Sequence, residues 1–209
     1  MNKTPIVFVY DGSFEGFLSL VFDSYEMKTN PLEIITEQNL QQRIFEGFHH
    51  VITDDKKAER VWAGLKKKTS QFGYYSVYYV FLSELQGREM LMFRYIQKVF
   101  LNKEHYEYNF SDTHVMEMET IRKKVAREAQ RMLMFVRFQK TADGLFYSAI
   151  EPKYDVLSLV TRHFKNRYAD QKWVIYDVKR KYGYYFDQKE ILRVTFDDGF
   201  AGAHSIWLP

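Results

Sequence analysis

The sequence predicts an α+β fold: a small N-terminal β-α-β element, a central helical body, and a C-terminal antiparallel or mixed sheet with one packed helix. Three observations predict it. Ile6-Val7-Phe8-Val9-Tyr10 is a short β-branched and aromatic run. From about Thr53 to Phe135 the apolar residues recur with a helical period. Beyond Val136 the period drops to two, and turn residues separate short aromatic runs. The corresponding segments are 1–52, 53–135 and 136–209, as one compact unit or two closely packed domains.

Taken in order, Ile6–Tyr10 reads as a strand, and Asp11-Gly12-Ser13 after it supplies a turn and a helix cap. Phe14, Phe17, Leu18, Val21, Phe22 and Tyr25 then form one helical face. Asn30-Pro31 punctuates, and Leu32–Ile35 is a second strand, parallel to the first. Three helices follow, marked by Ala58, Val61, Trp62 and Leu65; by Tyr78, Phe81, Leu82 and Leu85; and by Leu91, Tyr95, Ile96 and Phe100. A fourth starts near Asp112, with Ser111 as expected cap, and buries Val115, Met118, Ile121, Val125, Ala129 and Met132. Val136 and Phe138 open a strand, and Asp143-Gly144 before Leu145-Phe146-Tyr147 signals a hairpin. Asp155 is the expected cap of a helix presenting Val156, Leu159, Val160, His163 and Phe164. Trp173–Tyr176, Tyr184–Phe186 and Ile191–Val194 are further strands, with turns at Tyr182-Gly183 and Asp187-Gln188.

Of 209 residues, 46% are hydrophobic and 18% aromatic, enough to build a sizeable core. There is no Cys, which excludes disulfides, thiolate-held zinc, a Cys nucleophile and a thiolate-bound iron–sulfur cluster. The apolar run at Ile6–Tyr10 is too short for a signal peptide or a membrane span, so a cytoplasmic protein without membrane contact is expected. The net charge of +3 is unevenly spread: −4 over residues 1–60, +9 over 61–181 and −2 over 182–209. A positive middle can attract phosphates, although an ordinary solvated surface also carries such charge.

Four sets of residues are candidates for chemistry. Tyr10-Asp11-Gly12-Ser13 sits where a strand meets a helix N-terminus, whose N–H groups attract anions. It lacks the phosphate-loop lysine and the three-glycine fingerprint, and a cap with a tight turn explains it as well. Lys123, Arg127 and Arg131 are four apart, and with Lys124 and Arg137 they form a stripe that can follow a phosphate backbone. Glu128 is the only acid between Arg122 and Lys140, which a merely solvated face would not require. Lys179 and Arg180 belong to a second basic cluster interleaved with Phe164, Trp173 and Tyr176, a mixture suited to nucleotides, although core packing is the expected role of Phe164 and Trp173. His163 and Asp177 are acid–base candidates, Asp177 having an ion pair with Lys179 as its plainer explanation. None of the six His falls in a metal-binding pattern, and neither a metal nor a cofactor is expected.

The segments VYDGSFEG at 9–16, AERVWAGLKKK at 58–68, AREAQRMLMFVRF at 126–138, DGLFYSAIEPKYDVL at 143–157 and HFKNRYADQKWVIYDVKRKYGYYFD at 163–187 together resemble a bacterial family linked to DNA metabolism or DNA repair. The resemblance implies work beside a radical S-adenosylmethionine enzyme of DNA modification or repair, and some members of that family are fused to a uracil-DNA-glycosylase-like domain. It supplies no catalytic residues. On this reading the expected partners are DNA and the radical enzyme, whose cluster a Cys-free chain would leave to the partner. Two other readings stay open: an enzyme acting on a nucleobase or nucleotide, and a protein-interaction module that touches no DNA. The stretch Phe196–Pro209, with Phe200, Ile206 and Trp207, lies outside the matching segments and is expected to dock on the body or on a partner.

Overall fold

The structure, a computed structural model, describes residues 6–42, 47–102, 105–142, 144–195 and 204–205. It is α+β, with six α-helices and nine strands among the described residues. Two compact units divide the chain, residues 1–122 and 123–209. Among the described residues, no helix is long and apolar enough to cross a membrane.

In the first unit, β1 (Val7–Tyr10) is the middle strand of a parallel sheet, between β2 (Glu33–Thr36) and β3 (Phe48–His50). All four β1 residues are buried, so an unbroken apolar run rather than an alternating one marks it, as for parallel strands generally. The expected β-α-β element is present, and β3 adds a strand that Phe48-His49-His50 did not signal. Val7, Val9 and Ile35 bury one face, while Tyr10 packs edge-on against Phe17 of α1 (Phe14–Glu26) on the other. Phe14, Phe17, Leu18 and Val21 are buried as the period requires. Phe22 instead lies beneath the cations of Lys57 and Arg60, 5.4 and 4.9 Å from its ring centre, and Tyr25 is exposed.

Asp54 accepts a hydrogen bond from the Lys57 amide at 3.0 Å and starts α2 (Asp55–Lys68), which buries Ala58, Val61, Trp62 and Leu65. α3 (Gln71–Leu82) ends before Leu85, which is exposed, and α4 (Arg88–Leu101) buries Leu91, Tyr95 and Ile96. α5 (Thr113–Phe135) is capped by Asp112 and not by Ser111. Asp112 Oδ1 accepts from the amides of His114 and Val115 at 2.9 and 3.3 Å, the reach of a residue directly before the helix.

The second unit takes over along α5 and continues into a mixed sheet in the order β4-β5-β6-β7-β8-β9. β4 (Gln139–Lys140) and β5 (Phe146–Ile150) form the expected hairpin, closed by Gly144 at φ +88°. Asp143 of that turn lies outside the described residues. α6 (Leu157–Arg167) crosses over to β6 (Trp173–Asp177), parallel to β5, and β7 (Tyr182–Phe186) and β8 (Ile191–Val194) follow antiparallel. A two-residue β9 (His204–Ser205) pairs with β8, while Phe200, Ile206 and Trp207 lie outside the described residues. The expected turn at Tyr182-Gly183 is strand instead. The chain reverses at residues 178–181, where Lys181 adopts φ +56°. The residue directly before α6, Val156, makes no side-chain cap, and the Asp155 carboxylate accepts from the Tyr182 hydroxyl.

Trp173 is the centre of this unit's core, as expected for it and for Phe164. Phe138, Phe164 and Phe186 surround it with ring centres 6.2, 6.3 and 5.5 Å away. On the other sheet face, Gly183 lies against the neighbouring strand so closely that a Cβ would stand 2.6 Å from the Ile175 carbonyl oxygen. Gly183→Ala is expected to lose about 1–3 kcal/mol of stability, because backbone rather than a movable side chain blocks the new methyl; chemical denaturation of the two proteins checks it.

Candidate nucleic-acid interface

Lys123, Lys124, Arg127 and Arg131 occupy three turns of α5 and are all exposed, while Val125 and Ala129 on the same helix are buried. The one acid among them is turned inward. Glu128 is 8% exposed, and its Oε1 accepts a hydrogen bond from the Lys153 amide at 2.9 Å. Its Oε2 accepts from Arg131 at 3.3 Å, a pair three residues apart that leaves the Arg131 side chain 58% exposed. Over residues 123–131 the helix therefore buries its one negative charge and presents its positive ones. Arg137 is also exposed, but its guanidinium donates to the Met134 and Val136 carbonyl oxygens at 2.6 and 3.0 Å, closing the C-terminal end of α5.

The second basic cluster divides into structural and solvent-facing members. Asp177, at the end of β6, is fully buried. It is not an exposed partner of Lys179. Its Oδ2 accepts from Arg180 Nη1 at 2.7 Å and its Oδ1 from the Arg180 amide at 3.0 Å, because the turn after β6 folds Arg180 back over the strand end. The same guanidinium donates to the carbonyl oxygens of Pro152 and Lys153, each at 3.1 Å. Lys179 and Lys181 remain exposed, with Lys179 Nζ 3.4 Å from the Lys153 carbonyl oxygen. The segment 152–155 thus receives Glu128 from α5, Arg180 and Lys179 from the turn, and Tyr182 through Asp155. Burial pushes the Tyr182 hydroxyl up far above the usual phenol range, and the neighbouring Asp155 carboxylate adds to that. Lys153, which the sequence did not single out, is the residue through which both basic segments meet.

Tyr10-Asp11-Gly12-Ser13 lies in the first unit at the carboxyl end of β1, where parallel sheets often bind ligands. Here the chain's own groups occupy the helix end. Asp11 Oδ1 accepts from the Ser13 amide and hydroxyl at 2.9 and 2.7 Å, Asp11 Oδ2 from the Thr53 hydroxyl at 2.8 Å, and Ser13 Oγ from the Gly16 amide at 2.9 Å. Partial burial opposes ionisation of Asp11, but these hydrogen bonds outweigh it and hold the carboxyl below the usual range. Gly12 takes φ +87°, and a Cβ on Gly16 would stand 2.2 Å from Asp11 Oδ1. Both glycines serve a closed carboxylate turn. Tyr10 is buried, its hydroxyl donating to Glu89 at 3.3 Å.

His163 is exposed on α6 and meets Phe164 edge-on at 5.3 Å. Among the described residues no hydrogen bond or ion pair joins His163 to Asp177, and no group of three or more His, Asp or Glu converges as metal ligands would.

A buried charge held by one partner is costly to orphan. Arg180→Ala leaves Asp177 without its counter-ion and is expected to cost about 3–5 kcal/mol, whereas replacing both by leucine restores much of that loss. Chemical denaturation of the single and double variants measures the difference.

No curated protein matches this chain. A family model described as Domain of unknown function (DUF4130) matches residues 86–207, which include α5, the segment 152–155 and the turn after β6. That is more than half of the chain, and the chain belongs to this family of unknown function.

Proposed function

We propose that the protein is a DNA-handling accessory factor of DNA metabolism or repair, which holds nucleic acid on the basic face of α5 and presents it to a radical S-adenosylmethionine partner enzyme. The observation that carries the reading is the inward turn of Glu128, which leaves Lys123, Lys124, Arg127 and Arg131 as an exposed cationic stripe without an intervening acid. Such a stripe binds phosphates by releasing counterions and needs no base-specific contact. Lys153 and Lys179, both exposed and joined by the hydrogen bond at the segment 152–155, extend the cationic surface beyond the helix. Arg180 contributes by fixing that segment, with its guanidinium committed to Asp177 and to two carbonyl oxygens. The radical enzyme enters from the sequence resemblance, and a chain without Cys leaves the iron–sulfur chemistry to it.

The test is a salt titration of fluorescent single-stranded and double-stranded DNA against the wild type and Lys123→Ala/Arg127→Ala/Arg131→Ala. Wild-type affinity is expected to fall steeply with salt, and the variant to bind more weakly with a log–log salt slope smaller by about 2–3. Salt-independent binding, or equal binding by the variant, refutes the reading.

A further inference from the structure

The second unit holds a cavity of about 560 Å³ at the end of its sheet where β5 and β6 begin. That volume is within the range of about 300–1,000 Å³ typical of small-molecule sites. Three connections wall it: the β4–β5 hairpin at Gly144 and Leu145, the α6–β6 loop at residues 170–172, and the β7–β8 turn at Gln188. Strand alternation fixes its floor. Trp173 and Phe186 point to α6, so Lys172 and Tyr185, one residue earlier on their strands, stand on the opposite face.

The cavity's polar groups are idle within the chain. Among the described residues, the Lys172 ammonium, the Asp170 carboxylate, the Gln171 carboxamide and the Tyr185 hydroxyl have no hydrogen-bond or ion-pair partner. Gln188 is held at φ +83°, a conformation that favours glycine, and its Nε2 donates to the Asp170 carbonyl oxygen at 2.7 Å. The bond joins two walls of the cavity and turns the amide of Gln188 toward it.

We propose that this cavity binds a single nucleotide, with the base stacked on Tyr185, its edge read by Gln171, Gln188 and Asp170, and its phosphate held by Lys172. A half-buried phenol ring offers a stacking surface, carboxamides and a carboxylate match the donors and acceptors of a base edge, and the lysine supplies a point charge for phosphate. This deepens the nucleic-acid reading and rests on it for the source of the nucleotide, an unstacked base of a bound strand.

The test is isothermal titration of the full chain with deoxynucleoside 5′-monophosphates, deoxyribose 5-phosphate, inorganic phosphate and a neutral monosaccharide. Saturable binding of a nucleotide is expected, lost about tenfold or more in Tyr185→Leu. In Lys172→Met the nucleotide should bind more weakly than in the wild type, because the phosphate loses its cation. Gln188→Gly, which removes the amide and relieves the backbone, should weaken binding without lowering thermal stability, so it decides the matter even where Tyr185→Leu fails to fold. No nucleotide binding by the wild type overturns the proposal, as do equal binding of phosphate or sugar phosphate, preference for the monosaccharide, or unchanged binding by Gln188→Gly. The Lys123/Arg127/Arg131 triple-alanine variant should keep nucleotide binding. Nucleotide binding without DNA binding therefore sinks the DNA reading alone, and DNA binding without nucleotide binding sinks this one alone.

Discussion

The buried ion pair of Asp177 with Arg180 is the interaction on which the second unit's surface depends. A carboxylate at zero exposure is tolerated only with close donors, and Arg180 supplies two, its amide and its guanidinium. Because the guanidinium is planar and carries several donors, satisfying Asp177 leaves others to reach the carbonyl oxygens of Pro152 and Lys153. The held segment aims the Lys153 amide at Glu128, and that bond draws the one acid among the cations from Arg122 to Arg137 inward. Charge segregation on α5 is thus the last link of a chain that begins two strands away.

The first unit uses its acids differently. Asp11 fills the N-terminal end of α1, and Glu107 does the same for α3. Glu107 is 1% exposed and belongs to the short 3-10 helix Tyr106–Tyr108, yet its Oε1 accepts the Ser70 amide at 2.7 Å. Ser70, directly before α3, makes no side-chain cap, and its hydroxyl lies 3.1 Å from that of Tyr108. Gly73 makes room for the arrangement, since a Cβ there would stand 2.6 Å from Thr69 Cβ and 3.1 Å from Glu107 Cδ. Negative side chains at both helix N-termini satisfy the local dipoles and leave those ends unattractive to phosphate.

The α+β class and most elements were legible because hydrophobic period is a local property. α2, α4 and the buried half of α1 follow their apolar spacing, and β6 follows its aromatic and β-branched run. What escaped the sequence was decided by partners far along the chain. Asp155 was legible as a residue before α6, but not its bond from the Tyr182 hydroxyl, 27 residues later. Tyr182-Gly183 looked like a turn because glycine usually marks one. Here the glycine is needed inside β7, where backbone from β6 approaches closely. On the candidate interface the cationic stripe of α5 was readable from four-residue spacing. The roles of Glu128, Lys153 and Arg180 were not, since each depends on a contact spanning a loop or a turn.

The stretch matched by the family begins two residues before α4, well ahead of the second unit, and the contacts around Asp112 give a physical reason. Asp112 caps α5 with Oδ1 and offers Oδ2 to the ammonium of Lys98, on α4, and to the Tyr106 hydroxyl at 3.0 Å. Partial burial disfavours its charge, but these donors prevail and hold the carboxyl well below the usual range. An ionised residue is therefore shared between the end of one helix and the start of the next. A sequence module that kept α5 but not α4 would lose the lysine that makes this charge tolerable, and the N-terminal end of α5 would lose its cap's support. The basic helix thus needs α4 at its start and the segment 152–155 along its length, and the matched residues include both.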